Sequence, residues 1–134
     1  YEIGGFEITK SISKSLSISL KRAEELKRSF GFKEAENNVI QQAMSSLIDM
    51  MALETQKTIH SYEESKKTKI GKVLLVGGLA NMPNFLNYFG DKIGLPLVLG
   101  NSLARVIVPG DLTNLRAELN STFAIAMGLA MREI

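Results

Sequence analysis

Apolar residues recur every four positions at Ile8, Ile12, Leu16 and Leu20, which predicts one face of a helix beginning near Phe6. Serines lie between them and are mediocre helix formers, so a break is expected near Ser17 to Ser19. Leu20, Ala23, Leu26 and Phe30 continue the helical spacing, and Gly31 is placed to end it as a C-cap. Lys33 to Asn38 is polar and reads as a short link. Val39, Ile40, Ala43, Met44, Leu47, Ile48, Met51 and Ile59 then mark a long amphipathic helix reaching to about Tyr62. At 1.5 Å per residue it spans on the order of 35–40 Å. The charged segment Glu63 to Lys69 reads as a solvated loop.

The pattern then changes period. Val73 to Val76 is an unbroken apolar run, β-branched at both ends, which suits a strand buried on both faces. Gly77-Gly78 breaks it, and Pro83 is placed for the first turn of a helix over Asn84 to Ile93, with Phe85, Leu86, Phe89 and Ile93 inward. Gly94-Leu95-Pro96 turns the chain into a second short strand, Leu97 to Leu99, with Pro96 at its tolerated first position. Gly100 to Gly110 is expected to be irregular, Asp111 to cap a short helix running to Leu119, and Ser121 to cap a last helix from Thr122 to Arg132. Tyr1 to Ile3 resembles the end of a strand closed by Gly4-Gly5, so the chain is expected to be a piece of something longer. Strands joined by helical crossovers argue for an α/β layer with a small or incomplete sheet.

Composition narrows the chemistry. The 134 residues make one domain's worth of chain. A net charge of +2, with acidic and basic residues interleaved, argues against nucleic acid as the main ligand. Without cysteine there is no disulfide, thiolate metal site or cysteine nucleophile, a usage that fits a reducing compartment. His60 is the only histidine, so a multi-histidine metal centre is excluded. No apolar run approaches the roughly 20 residues needed to span a bilayer, and no signal-peptide pattern opens the chain. Direct membrane insertion is therefore not expected.

Two stretches carry candidate binding chemistry. At Gly77-Gly78 the missing Cβ atoms would let a flat ligand group or a phosphate approach the backbone, beside a helix start with unpaired N–H groups. The plainer reading is chain reversal alone, and neither a GxGxxG fingerprint nor a P-loop is present. Glu24 and Lys27, three apart, share a helical face. Their plainer reading is a solvated face with Glu24 paired to Arg28. Their functional reading needs a ribose or adenine nearby, where a carboxylate accepts from hydroxyls and a lysine stem covers a ring. Ala124, Ala126, Gly128 and Ala130 leave one side of the last helix small, as if another helix approached it. His60 reads as a surface residue, and Met44, Met50 and Met51 as core filler.

Four blocks in order add a resemblance: Gly4-Gly5-Phe6-Glu7-Ile8-Thr9, Ala23-Glu24-Glu25-Leu26-Lys27, Val73 to Pro83, and Ala126-Met127-Gly128-Leu129-Ala130-Met131-Arg132. Together they resemble the second domain of the actin-like ATPase (ribonuclease H-like) fold. The nearest likeness is to its FtsA/PilM branch and the PilM-like type IV pilus assembly family. The resemblance implies a small sheet flanked by helices, with residues of about 20–69 forming a helical subdomain and 1–19 and 70–134 the sheet-bearing one. It implies that Gly77, Gly78, Asn81 and nearby Met82 contact adenosine and the α-phosphate of ATP, with Glu24 and Lys27 lining ribose and adenine from the opposite side. The phosphate loops and the magnesium site of the family belong to a first domain whose motifs are not in this sequence, so this piece alone is expected to be inactive, whether or not the parent is a slow ATPase. The resemblance further implies a cytoplasmic scaffold at the inner face of the inner membrane, meeting a PilN-like membrane protein through that first domain, with self-association possible. The alternatives are an FtsA-like division protein or another actin-fold ATPase or kinase half, and a ligand-free interaction module in which Gly77-Gly78 is only a turn.

Overall fold

The computed structural model describes residues 3–33 and 39–132. Of the strand end expected over Tyr1 to Ile3, Tyr1 and Glu2 lie outside them and Ile3 is in no strand, and the link over residues 34–38 also lies outside them. Helix α1 (Gly5–Leu16) buries Ile8, Thr9 and Ile12. It stops at the serines: Ser17 takes a left-handed conformation, and Ser19 caps helix α2 (Leu20–Phe30) by accepting from the Arg22 N–H at 3.2 Å. In α2 the buried positions are Ala23 and Lys27, while Leu20 and Phe30 of the expected stripe are exposed. Small Ala23 lets α1 come close, and the lysine is admitted because acceptors meet its ammonium.

Helix α3 (Val39–Lys66) extends one turn beyond the expected end at Tyr62. The start of the expected Glu63–Lys69 loop is therefore helical. Glu63 holds the turn that follows, its carboxylate accepting from Ile70 N–H at 2.8 Å and Lys69 Nζ at 2.6 Å. Met44, Ile48 and Ala52 of α3 are buried and Met51 is half-buried, whereas Met50 is exposed and fills no core. His60 lies on the surface beside Glu64 at 3.3 Å.

Strands β1 (Val73–Leu75) and β2 (Leu97–Leu99) pair in parallel, with Leu74 opposite Val98. Between them run a 3₁₀ turn, Gly78–Asn81, and helix α4 (Phe85–Ile93). Pro83 precedes α4 instead of entering its first turn: Asn84 is left-handed, and the Pro83 carbonyl accepts from Phe32 N–H at 2.8 Å. Phe85, Phe89 and Ile93 are buried as expected, Leu86 is half-buried, and Phe32 stacks on Tyr88 at 3.9 Å. The Tyr88 hydroxyl donates to Asp49 at 3.1 Å, joining α4 to α3. Burial of the first strand on both faces is not observed. Val73 and Leu75 pack on the core, but Leu74 is 63% exposed, because the helices cover one face of this two-stranded sheet only. The architecture is thus mostly helical.

Residues 100–109 are irregular as expected. A 3₁₀ turn (Gly110–Leu115), helix α5 (Arg116–Thr122) and helix α6 (Ala124–Ala130) follow. Asp111 makes no side-chain cap. Ser121 does not cap a last helix either: it is fully buried in the last turn of α5, and the expected Thr122–Arg132 helix is interrupted at Phe123. Nothing among the described residues approaches Gly128, where an added Cβ would meet no atom within 4 Å.

Candidate functional site

Two hollows stand out. The larger, about 750 Å³, is a groove between α3 and β1 lined mainly by aliphatic groups, among them Met51, Ile59, Ile70 and Val73. The second, about 540 Å³, is where polar groups converge. Its walls come from the start of α1 (Gly5, Phe6), α2 (Glu24, Lys27, Arg28), the 3₁₀ turn (Gly78, Leu79, Asn81) with Met82, and α5 (Glu118, Thr122). Of the six residues singled out from the sequence, Glu24, Lys27, Gly78, Asn81 and Met82 line this one cleft, although more than fifty positions separate Lys27 from Asn81. Gly77, which precedes the turn, is not among the lining residues. Its φ of 99° is one that L side chains rarely adopt, and its N–H donates to the Ser121 carbonyl at 2.8 Å.

The α2 wall is an ionic knot. Lys27 Nζ lies 2.6 Å from Glu24 Oε2 and donates to Gly5 O at 3.0 Å and Thr9 Oγ1 at 2.8 Å, which occupies all three ammonium hydrogens. Glu24 also accepts from the Thr9 hydroxyl at 2.5 Å, and its Oε1 from Arg28 Nε at 2.9 Å. Partial burial pushes the Glu24 carboxyl upward, but the bonds from Lys27, Thr9 and Arg28 together outweigh it and hold the group down at about 2. The same bond raises the Arg28 guanidinium further. Both readings of Glu24 therefore meet here: it pairs with Arg28 as a solvated face would, and it lines a cleft. Lys27 departs from both, since its charge is consumed internally.

The opposite wall is uncharged along the turn and carries Glu118 on α5. Ser121 Oγ donates to Asn81 Oδ1 at 2.7 Å, and Asn81 Nδ2 lies 3.4 Å from Thr122 Oγ1. Glu118 and Thr122 were not found by sequence reasoning. Their four-residue spacing puts them on one helical face, but nothing local says which way that face turns. Arg28 entered only as the partner of Glu24. Among the described residues no group of three or more His, Asp or Glu is arranged to hold a metal ion. No helix among them is long and apolar enough to cross a membrane.

The fold is shared with a solved protein. A chain of the "PilM-PilN type IV pilus biogenesis complex" superposes with a TM-score of 0.78 at 24% identity, covering 96% of this chain and 36% of that one. The present chain thus spans little more than a third of that structure's length. No curated protein matches. The family model for type IV pilus assembly protein PilM matches residues 1–134, and the chain belongs to that family.

Proposed function

We propose that this chain is the second domain of an actin-like ATPase fold and forms the adenosine side of a nucleotide site in a cytoplasmic scaffold for type IV pilus assembly. The observation that carries the reading is the gathering of Glu24, Lys27, Gly78, Asn81 and Met82 around one cleft. Its volume, about 540 Å³, is within the usual range for small-molecule sites. On this reading Glu24 Oε1, with acceptor capacity beyond its bond to Arg28, takes ribose hydroxyls. Lys27 offers only its stem, because its ammonium is already satisfied. At Gly78 a side chain would project into open space, so a ring or phosphate can lie against the backbone there. Residues of about 20–69 form the helical subdomain and the remainder the sheet-bearing one. Magnesium and the phosphate loops are assigned to the rest of the protein, as is a groove for a PilN-like inner-membrane partner of the kind named in the matching complex.

The test is equilibrium binding of MgATP to the full-length protein, wild type beside Gly78→Val and Glu24→Ala. Binding by wild type, lost in both variants while they remain folded, supports the site. No binding by wild type at millimolar nucleotide overturns it and leaves a ligand-free interaction module, in which the glycines are only a turn.

A further inference from the structure

Ser121 holds both ends of the turn that forms the neutral wall. It is fully buried. Its carbonyl accepts from the Gly77 N–H at 2.8 Å, before the turn, and its hydroxyl donates to Asn81 Oδ1 at 2.7 Å, at the turn's last residue. A free asparagine on an exposed turn could present either end of its amide to a ligand. Here the oxygen is occupied from behind, so the NH₂ end is the one turned toward Thr122 and the cleft, where Asn81 itself is exposed. We infer that Ser121 is a positioning residue for the nucleotide site, presetting Asn81 as a hydrogen-bond donor toward an acceptor atom of the bound nucleotide. The assignment rests on the adenosine-site reading above. It follows that α5 does more than close the cleft: it orients the side chain that faces the ligand. Removing the hydroxyl alone leaves the bond between the Ser121 carbonyl and Gly77 in place, so the turn stays anchored while the amide is freed to rotate.

The experiment is a double-mutant cycle on MgATP affinity in the full-length protein, with Ser121→Ala, Asn81→Ala and the pair, each checked by thermal melting. Ser121→Ala is expected to weaken binding about tenfold, the effect of one well-placed hydrogen bond. If Ser121 acts through Asn81, the double variant binds no weaker than Asn81→Ala alone. Should Ser121→Ala fail to fold, Ser121→Cys, close in volume but a weak donor, is expected to give a smaller loss that also vanishes on the Asn81→Ala background. Additive losses, or wild-type affinity in a folded Ser121→Ala, overturn the positioning role while the nucleotide site stands. Wild type that does not bind nucleotide removes both readings.

Discussion

The two walls of the cleft are built on opposite principles. The α1–α2 wall is charged and tied to itself: Lys27, Glu24, Arg28 and Thr9 exchange short bonds, and one ammonium is nearly buried. The wall formed by the 3₁₀ turn and α5 is uncharged where the turn lies, and is held by a backbone bond at Gly77 and an amide–hydroxyl pair at Asn81 and Ser121. The first is rigid because breaking it strands a charge, the second because a buried serine grips a glycine turn. A charged wall therefore shows itself in stability and in its pH dependence. A neutral wall should show itself in ligand affinity.

The largest expected effect falls where the walls meet. Gly31 ends α2 at φ +50°, and a Cβ there would lie 2.5 Å from the Pro83 carbonyl oxygen, in the segment that follows the turn. Gly31→Ala should lower stability by about 2–4 kcal/mol, read by urea unfolding, from backbone strain and steric overlap together. Near-wild-type stability would show that the two walls are not braced against each other. Lys27→Met comes next. It removes the ammonium from Glu24, Thr9 and Gly5 and should cost about 2 kcal/mol, below the loss for a fully buried pair because Glu24 is partly solvated. Its cost should exceed that of any single substitution of Asn81.

The adjacent glycines separate turn from site. Gly77→Ala should cost about 1 kcal/mol, because φ of 99° disfavours any side chain although no atom lies within 4 Å. Gly78→Ala, with no such φ and open space around it, should change stability by less than about 0.5 kcal/mol. Equal losses at the two would remove the distinction. A separate effect is expected in acid. Glu24 sits at about 2 in the fold against 4.5 ordinarily, so its contribution is complete above about 4.5 and is lost as pH falls toward 2. Glu24→Gln should flatten that part of the stability–pH profile and lower the level above it, where the ionised carboxylate contributes; a parallel profile would show that the knot does not favour the ionised carboxylate.

Much of the charged wall was legible beforehand, because its logic is local. Glu24 and Lys27 share a face by spacing alone, and the break at the serines between α1 and α2 is readable from composition. Where local reasoning went wrong, a partner distant in sequence had intervened. Phe30 and Leu20 were expected inside, but Lys27 is buried instead, because Thr9 and the Gly5 carbonyl supply acceptors from α1. Ser121 has the composition of a cap, yet it faces Asn81, forty positions away. The first strand has the run of a doubly buried one, but only one face meets helices here.

By itself the sequence determined the helical periods, both strands, the Gly77-Gly78 break and the carboxylate–lysine spacing, since each depends on residues within a turn or two of one another. Tertiary structure alone decided that Glu24 and Asn81 face one cleft, that Lys27 spends its charge inside the fold, and that α5 sets the orientation of Asn81. Those outcomes depend on which donor meets which acceptor across large sequence separations, and helical or strand periodicity carries no information about that.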